Sequence, residues 1–356
     1  MNRRDFNRAI AAGAVLSALP AWPASIRKTP ARKLIKPPIL RPGSLVGLIA
    51  PGGVLDDAII QKCVQNLESL GFRVKLSPNL RAAWGGYAGT IKQRLDDLHG
   101  MFTDAEVKAI WTARGGSGCS GLLPGIDYEL LRRHAKILIG YSDITALHLA
   151  LYRCAGLVTF HGPVAWSTPN DYAVTQMQAV LMSPRRETEI HMSTENARRA
   201  ATQPEYGLRT FKHGGAEGPL VGGNLSIVSA LAGTPYGADI RNHLLFLEEV
   251  REAPYRVDRM LTQLQQSAGA AGETHGLARA AGVMMGVFTR GNASPEDKSL
   301  SLSEVLDHHF AASPVPAVYG YSFGHISHQF TLPVGVRARL DTSAQTLTLL
   351  EAAVHE

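Results

Sequence analysis

Short apolar runs alternate with segments of helical periodicity through the first half of this chain, and this alternation limits the fold more than any other feature. Residues 45–50 form an apolar run that ends at Pro51-Gly52-Gly53, and residues 56–70 carry apolar side chains at the spacing of one helix face. The same pattern predicts further strands at 71–76, 107–112 and 136–140, and further helices at 91–101, 127–134 and 146–154. Strands that alternate with helices predict a parallel sheet covered by helices on both faces.

The pattern changes at residue 167. Residues 167–214 are polar and contain Pro169, Pro184 and Pro204, which predicts a connector with some local structure. Apolar runs return afterwards, with strands predicted at 243–248, 281–288, 315–319 and 345–350 and helices at 226–231 and 257–265. The predicted fold class is α/β, with an N-terminal parallel-sheet domain over residues 41–166 and a C-terminal domain over residues 215–352.

Residues 1–33 predict an export signal followed by the start of the mature chain. Arg3 and Arg4 precede an apolar stretch from Ala9 to Leu19, an order that is typical of a signal peptide. This stretch is too short to cross a hydrocarbon core of about 30 Å as a helix. The arginine pair followed by Phe6 favours the twin-arginine route, so a periplasmic protein is expected. The alternative is a disordered basic tail.

The same segment explains the net charge of +6. Of the 36 Lys and Arg residues, seven lie in residues 1–33 beside one acidic residue, which leaves 29 basic and 29 acidic side chains in the remainder. A near-neutral body gives no reason to expect nucleic-acid binding.

The sequence has neither a cysteine pattern that predicts disulfide bonds nor a motif that predicts a metal site. Cys63, Cys119 and Cys154 are odd in number and have no CxxC spacing, so we interpret them as buried apolar side chains. The chain has no HExxH motif and no compact run of histidines and carboxylates, so no metal site is predicted.

The clearest candidate site follows the predicted strand at 136–140. In open α/β sheets ligands bind beyond the carboxyl ends of strands, and Gly140-Tyr141-Ser142-Asp143 lies there, directly before a predicted helix. A serine on such a turn projects its hydroxyl from the sheet, and the next backbone N–H can face an oxyanion. The alternative is that Ser142 or Asp143 simply caps the helix.

Two more places complete the candidate site. Residues 114–121 hold four glycines in eight positions but lack the Walker and G-x-G-x-x-G patterns, which favours a loop that lies against substrate over a phosphate site. A flexible turn is the alternative. Glu248 ends an apolar strand and His325 follows another, so the carboxylate could orient the imidazole while Ser142 contacts its other nitrogen. A single histidine is more often structural, and the sequence alone does not show that these residues converge.

A series of ordered motifs between Pro42 and Pro333 also carries a family resemblance. They are Leu48-Ile49-Ala50-Pro51, Arg94-Leu95-Asp96-Asp97-Leu98, Ala113-Arg114-Gly115-Gly116, Leu122-Leu123-Pro124, Ile139-Gly140-Tyr141-Ser142-Asp143, Phe160-His161-Gly162-Pro163, Gly222-Gly223-Asn224-Leu225, Leu247-Glu248, Pro254-Tyr255-Arg256-Val257-Asp258-Arg259-Met260 and Phe323-Gly324-His325. Together they resemble the L,D-carboxypeptidase family of serine peptidases, which also contains the microcin C self-immunity peptidases.

The resemblance implies an N-terminal α/β domain, a smaller β-rich C-terminal domain and a site between them. It implies Ser142 as nucleophile, His325 as base and Glu248 as the residue that orients it. The backbone N–H groups of Gly116 and Asp143 are candidates for the oxyanion hole. The candidate substrate-binding residues are Arg114, Gly115, Gly223 and Asn224.

The implied reaction removes the terminal D-alanine from a murein tetrapeptide by cutting after meso-diaminopimelate or lysine, through an acyl-enzyme and without a cofactor or metal. One alternative keeps the triad but acts on an aminoacyl-nucleotide or another peptide antibiotic. A catalytically silent murein-binding protein would have lost a triad residue, and none is missing. The expected partner is the murein peptide, without nucleic acid or a membrane span after processing, and a homodimer remains open.

Overall fold

Two β-sheets flanked by helices make up the protein, which confirms the predicted α/β fold class. The structure, a computed structural model, describes residues 32–267, 276–293, 296 and 298–356. The predicted export signal, apart from its last two residues Arg32 and Lys33, lies outside the described residues. Within the described ranges, no helix has the length and apolar character that crossing a bilayer requires.

The first sheet has six strands in the order β12-β5-β4-β3-β1-β2. Its neighbours run parallel except at β12, which returns from the C-terminal part of the chain and pairs antiparallel with β5. With strands numbered along the chain, the members are β1 (Leu45–Ile49), β2 (Arg73–Leu76), β3 (Val107–Thr112), β4 (Ile137–Gly140), β5 (Thr159–His161) and β12 (Leu332–Val334).

The second sheet has eight strands in the order β6-β14-β13-β8-β9-β10-β11-β7. Its centre, from β8 to β11, is parallel, and antiparallel strands extend it on both sides. The members are β6 (Thr188–Ile190), β7 (Arg209–Lys212), β8 (Gly215–Asn224), β9 (Leu244–Glu248), β10 (Gly282–Val287), β11 (Ala317–Gly324), β13 (Arg337–Asp341) and β14 (Thr346–Leu349). Both edge strands, β6 and β7, come from residues 167–214, the segment that the sequence suggested as a connector.

Seven of the nine described helices begin at a residue whose side chain accepts a hydrogen bond from a free N–H group of the first turn. Asp56 accepts a hydrogen bond from Ile59 N–H (2.7 Å), and Thr90 with Gln93 forms a capping box. The helices are α1 (Asp57–Ser69), α2 (Ile91–Thr103), α3 (Tyr128–Arg133), α4 (Thr145–Ala150), α5 (Asp171–Leu181), α6 (Thr194–Arg199), α7 (Leu225–Ala230), α8 (Pro254–Gln266) and α9 (Leu302–Phe310).

Apolar packing joins the two sheets. Leu147 of α4 lies in one buried cluster with Val221 of β8 and Leu245 of β9, and Ile139 of β4 shares a second cluster with Phe246. A hydrogen bond also crosses the junction: the backbone N–H of Asn224 donates to the side-chain Oγ1 of Thr145 (3.0 Å). As a result, the carboxyl end of β4 faces the carboxyl ends of β8 and β9.

Close approach at one glycine shapes the end of β4. Thr112 Oγ1 donates a hydrogen bond to Ile139 O (3.0 Å). A methyl group at Gly140 would lie 2.1 Å from Thr112 Oγ1. The Gly140 carbonyl in turn binds the buried imidazole of His148 (2.9 Å). Only a residue without Cβ fits between these groups.

We expect Gly140→Ala to lower the free energy of unfolding by about 1–3 kcal/mol, the usual cost of overpacking a core. Gly121→Ala is the matched control, because a methyl group there would meet no atom within 4 Å. Urea denaturation of both variants measures the difference. Equal stability of the two would contradict the steric account of Gly140.

Candidate active site

Ser142 occupies a turn that most side chains avoid. It directly follows Tyr141 at the end of β4 and has a backbone φ of 67°, in the left-handed region that is rare for residues other than glycine. The short helical turn Ser142–Ile144 and helix α4 have no side-chain N-cap, so the helix-capping alternative for Ser142 and Asp143 is not observed. A strained serine between a strand and a helix is the geometry of a nucleophile elbow.

An acid and a histidine from the second sheet meet beside this turn. Glu248 ends β9 and is fully buried, and its Oε2 lies 2.7 Å from His325 Nδ1. The His325 ring packs edge-on against Tyr141 with 4.8 Å between ring centroids, which places the imidazole next to the Ser142 turn. Among the described residues, no hydrogen bond joins the Ser142 hydroxyl to His325, whose ring is bonded to Glu248.

The pKa values of this pair favour its charged form. Burial alone would lower the pKa of His325, but the charge and the hydrogen bond of Glu248 outweigh burial and raise it. Burial would likewise raise the pKa of Glu248, and the charge and the hydrogen bond of His325 lower it instead. Both shifts stabilise an imidazolium, which is what a base needs when it takes the proton of an attacking serine.

Glu249 points away from the histidine and has a different task. Its carboxylate accepts hydrogen bonds from Ser226 N–H (2.8 Å), Ser226 Oγ (2.7 Å) and Asn224 Nδ2 (3.0 Å) at the beginning of α7. Adjacent strand residues face opposite sides, so the contact of Glu248 with His325 turns Glu249 toward this helix.

The glycine-rich loop lies against the serine turn. A methyl group at Gly115 would lie 2.9 Å from Ser142 Oγ, so the loop backbone itself borders the hydroxyl. Gly116, at a φ of 113°, packs on Gly53, and its N–H has no hydrogen-bond partner among the described residues. The N–H of Gly116 is therefore free to bind a developing oxyanion.

Buried polar contacts hold this loop in place. Asp143 Oδ2 accepts the Cys119 N–H (2.9 Å), which ties the loop to the residue after the serine. The buried guanidinium of Arg94 donates to Pro51 O (2.8 Å) and Gly118 O (3.2 Å). Arg94 lies in one of the family-resembling motifs, and its buried guanidinium joins the Pro51 turn to the glycine-rich loop.

The predicted substrate-binding residues have unequal positions. Arg114 is half-buried, and its guanidinium carbon lies 5.4 Å from the ring centroid of the exposed Trp166. Asn224 caps α7 through Ile227 N–H and also binds Glu249, so its side chain is engaged in structure. A methyl group at Gly223 would lie 2.4 Å from Thr145 Oγ1, which makes this glycine part of the junction between the sheets.

All three cysteines are free. Cys63 and Cys119 are buried as predicted, whereas Cys154 is only half-buried. Burial raises the pKa of the Cys119 thiol well above its usual value, and Asp143 raises it further. A thiol held protonated is a poor nucleophile, which separates Cys119 from the role of Ser142.

One group of possible metal ligands lies elsewhere in the described chain. Asp258 of α8 and His308 and His309 of α9 bring ligand atoms within 4.8 Å of one another. His309 Nε2 lies 2.9 Å from Asp258 Oδ1, so these two already satisfy each other. None of the three contacts Ser142, Glu248 or His325.

No sequence pattern predicted a role for His161, the last residue of β5. It is fully buried, and its ring lies 6.1 Å from the ring of Tyr141 and 5.4 Å from that of Phe246. A histidine at the end of an apolar strand, within the Phe160-His161-Gly162-Pro163 motif, was the available signal.

A strained serine beside a buried acid–histidine pair is the constellation of a serine hydrolase. The model of the LD-carboxypeptidase N-terminal domain matches residues 46–162, and that of the LD-carboxypeptidase C-terminal domain matches residues 217–340. The chain therefore belongs to the LD-carboxypeptidase family.

Individual relatives agree with this assignment. The "Probable murein peptide carboxypeptidase" of Bacillus subtilis is 38% identical over 321 residues, which cover 90% of this chain and 96% of the relative. The crystal structure of a muramoyltetrapeptide carboxypeptidase from Oxalobacter formigenes is 28% identical with a TM-score of 0.71 and covers 86% of this chain and 98% of that one. An MccF-like protein from Bacillus anthracis is 28% identical with a TM-score of 0.76 and covers 88% and 99%.

We expect Glu248→Gln to reduce peptide turnover by about four orders of magnitude, as for loss of the carboxylate in other triads, because an amide cannot stabilise the imidazolium. Glu249→Gln should instead lower stability, since it perturbs the beginning of α7, and should largely spare turnover. Steady-state kinetics and thermal unfolding of both variants test this. A larger loss of turnover for Glu249→Gln would show that the wrong carboxylate has been assigned.

Proposed function

We propose that this protein is a serine L,D-carboxypeptidase that removes the terminal D-alanine from murein tetrapeptides. The observation that carries the proposal is the Glu248–His325 pair beside Ser142 on its strained turn. The carboxypeptidases of Bacillus subtilis and Oxalobacter formigenes, named for murein peptides, support the choice of substrate.

In the proposed mechanism Ser142 attacks the carbonyl carbon of the scissile bond while His325 takes the hydroxyl proton. Glu248 orients the imidazole and stabilises its charge. The N–H groups of Asp143 and Gly116 bind the oxyanion, and the protonated histidine then gives its proton to the amine of the leaving D-alanine. Water, activated by His325, hydrolyses the acyl-enzyme and frees Ser142.

A second candidate keeps the same chemistry on a peptidyl nucleotide. It is favoured by the likeness to the MccF-like protein from Bacillus anthracis. The two candidates differ only in what the site binds next to the scissile bond, so activity on a tetrapeptide and on a peptidyl-adenylate separates them.

The proposed location is the periplasm, after export by the twin-arginine route. Support comes from the arginine pair and the apolar stretch near the start of the chain. Replacement of Arg3 and Arg4 by lysines should retain the protein in the cytoplasm, and cell fractionation measures this.

Mass spectrometry of purified muropeptides after incubation with the protein tests the function directly. Conversion of tetrapeptide to tripeptide, with release of D-alanine, is the expected result. Unchanged tetrapeptide together with cleavage of a peptidyl-adenylate would favour the second candidate.

Ser142→Ala should abolish this conversion and leave the fold intact, because it removes the nucleophile and little volume. Cys119→Ala is the control. It retains the backbone N–H that binds Asp143, so it should keep most of the activity. Substantial tripeptide formation by Ser142→Ala would rule out the proposed nucleophile.

The pH profile follows from the raised pKa of His325. Only the neutral imidazole can act as base, so kcat/KM should rise with pH through a midpoint above 6.5, the ordinary pKa of histidine. Glu248→Gln removes the interaction that raises this pKa and leaves the burial that lowers it. Its midpoint should therefore move to lower pH, and a titration of kcat/KM for both proteins measures the direction.

A further inference from the structure

Three buried polar atoms at the candidate site have no hydrogen-bond partner among the described residues. Both ring nitrogens of His161 and the Oε1 atom of Glu248 are shielded from solvent, and no described residue forms a hydrogen bond with any of them. The Asn224 amide, which helps to lower the pKa of Glu248, directs its hydrogen bond to Glu249 Oε1. Buried polar groups without partners are rare, since each costs free energy.

The aromatic neighbours of His161 lie one or two positions from Glu248, His325 and Ser142 in the sequence. Its ring contacts Phe246, Phe323 and Tyr141 at centroid distances of 5.4, 6.3 and 6.1 Å. Phe246 shares the face of β9 with Glu248, two residues further on. Phe323 precedes His325 by two residues, and Tyr141 directly precedes Ser142. His161 therefore lies among the neighbours of all three triad residues.

The charge state of His161 fits the role of a donor. Burial lowers its pKa to about 4, so the ring is neutral at physiological pH and carries one N–H and one acceptor nitrogen. Glu248 is charged and only accepts hydrogen bonds, so the N–H of His161 is the group that can serve it. The other titratable side chains facing His161 are His325, Tyr141 and His148.

We propose that His161 is a positioning residue, which donates its ring N–H to Glu248 Oε1 through one bridging water molecule and so fixes the carboxylate that orients His325. The role spans the junction, because His161 belongs to the first sheet and Glu248 to the second. Docking of the two sheets thereby aligns the acid as well as bringing it to the serine.

Two substitutions separate this role from simple packing. His161→Phe keeps an aromatic ring among aromatic neighbours but loses the donor, whereas His161→Gln keeps a donor and packs less well. The positioning role predicts that kcat falls about tenfold to hundredfold in His161→Phe, the range for loss of one hydrogen bond to a charged group. KM should change little, and His161→Gln should retain more activity than His161→Phe. Thermal stability should follow the opposite order.

The pH profile provides a second measurement. Without its donor the Glu248 charge acts more strongly on His325, so the acid midpoint of kcat/KM should move to higher pH in His161→Phe and less in His161→Gln. Thr331→Val is the control. It removes a buried hydroxyl that likewise has no described partner, and it should keep the wild-type kcat and midpoint. An activity order that follows stability, or wild-type kcat in His161→Phe, would overturn the proposal.

This inference rests on the proposed function, and one further measurement keeps the two apart. The rate at which a fluorophosphonate modifies Ser142 depends on the triad and not on murein recognition. A wild-type protein that is labelled but leaves the tetrapeptide intact would refute the proposed substrate alone. Equal labelling rates for wild type and His161→Phe would refute the positioning role.

Discussion

A fully buried carboxylate at the end of β9 forms the central interaction of this structure. Removing the Glu248 charge from water is costly, and the cost is offset only if a partner with good geometry lies within reach. That partner is His325 at 2.7 Å, and it comes from the end of β11, two strands away in the same sheet. Formation of the Glu248–His325 hydrogen bond therefore depends on the relative positions of β9 and β11.

The serine side of the site depends on a separate set of contacts. The turn at Ser142 adopts a rare backbone conformation, and such conformations persist only where the surroundings enforce them. Three contacts hold this turn in place. Gly140 packs against Thr112, Asp143 accepts a hydrogen bond from Cys119 N–H, and Arg94 binds the two neighbouring loops. Ser142 thus keeps its rare backbone conformation between elements that are held by buried hydrogen bonds.

Because the proposed nucleophile follows a strand of one sheet and the proposed acid–base pair belongs to the other, the apolar junction between the sheets is part of the proposed catalytic site. Aromatic contacts cross this boundary. Tyr141 packs against His325, and His161 packs against Tyr141, Phe246 and Phe323.

Local periodicity in the sequence was sufficient to predict most strands and helices of the first sheet, because neighbouring residues alone determine a strand or a helix face. It missed β5 and β12, whose three residues are too few to show a period. It also missed β6, β7, β8, β13, α5, α6 and α9. The motifs also indicated the family and singled out Ser142, Glu248 and His325. Only the tertiary structure decided that Glu248, and not Glu249, faces a histidine 77 positions away, since that depends on strand register and on docking of two sheets. The environment of His161 was equally hidden, because burial and missing partners are properties of the packed chain.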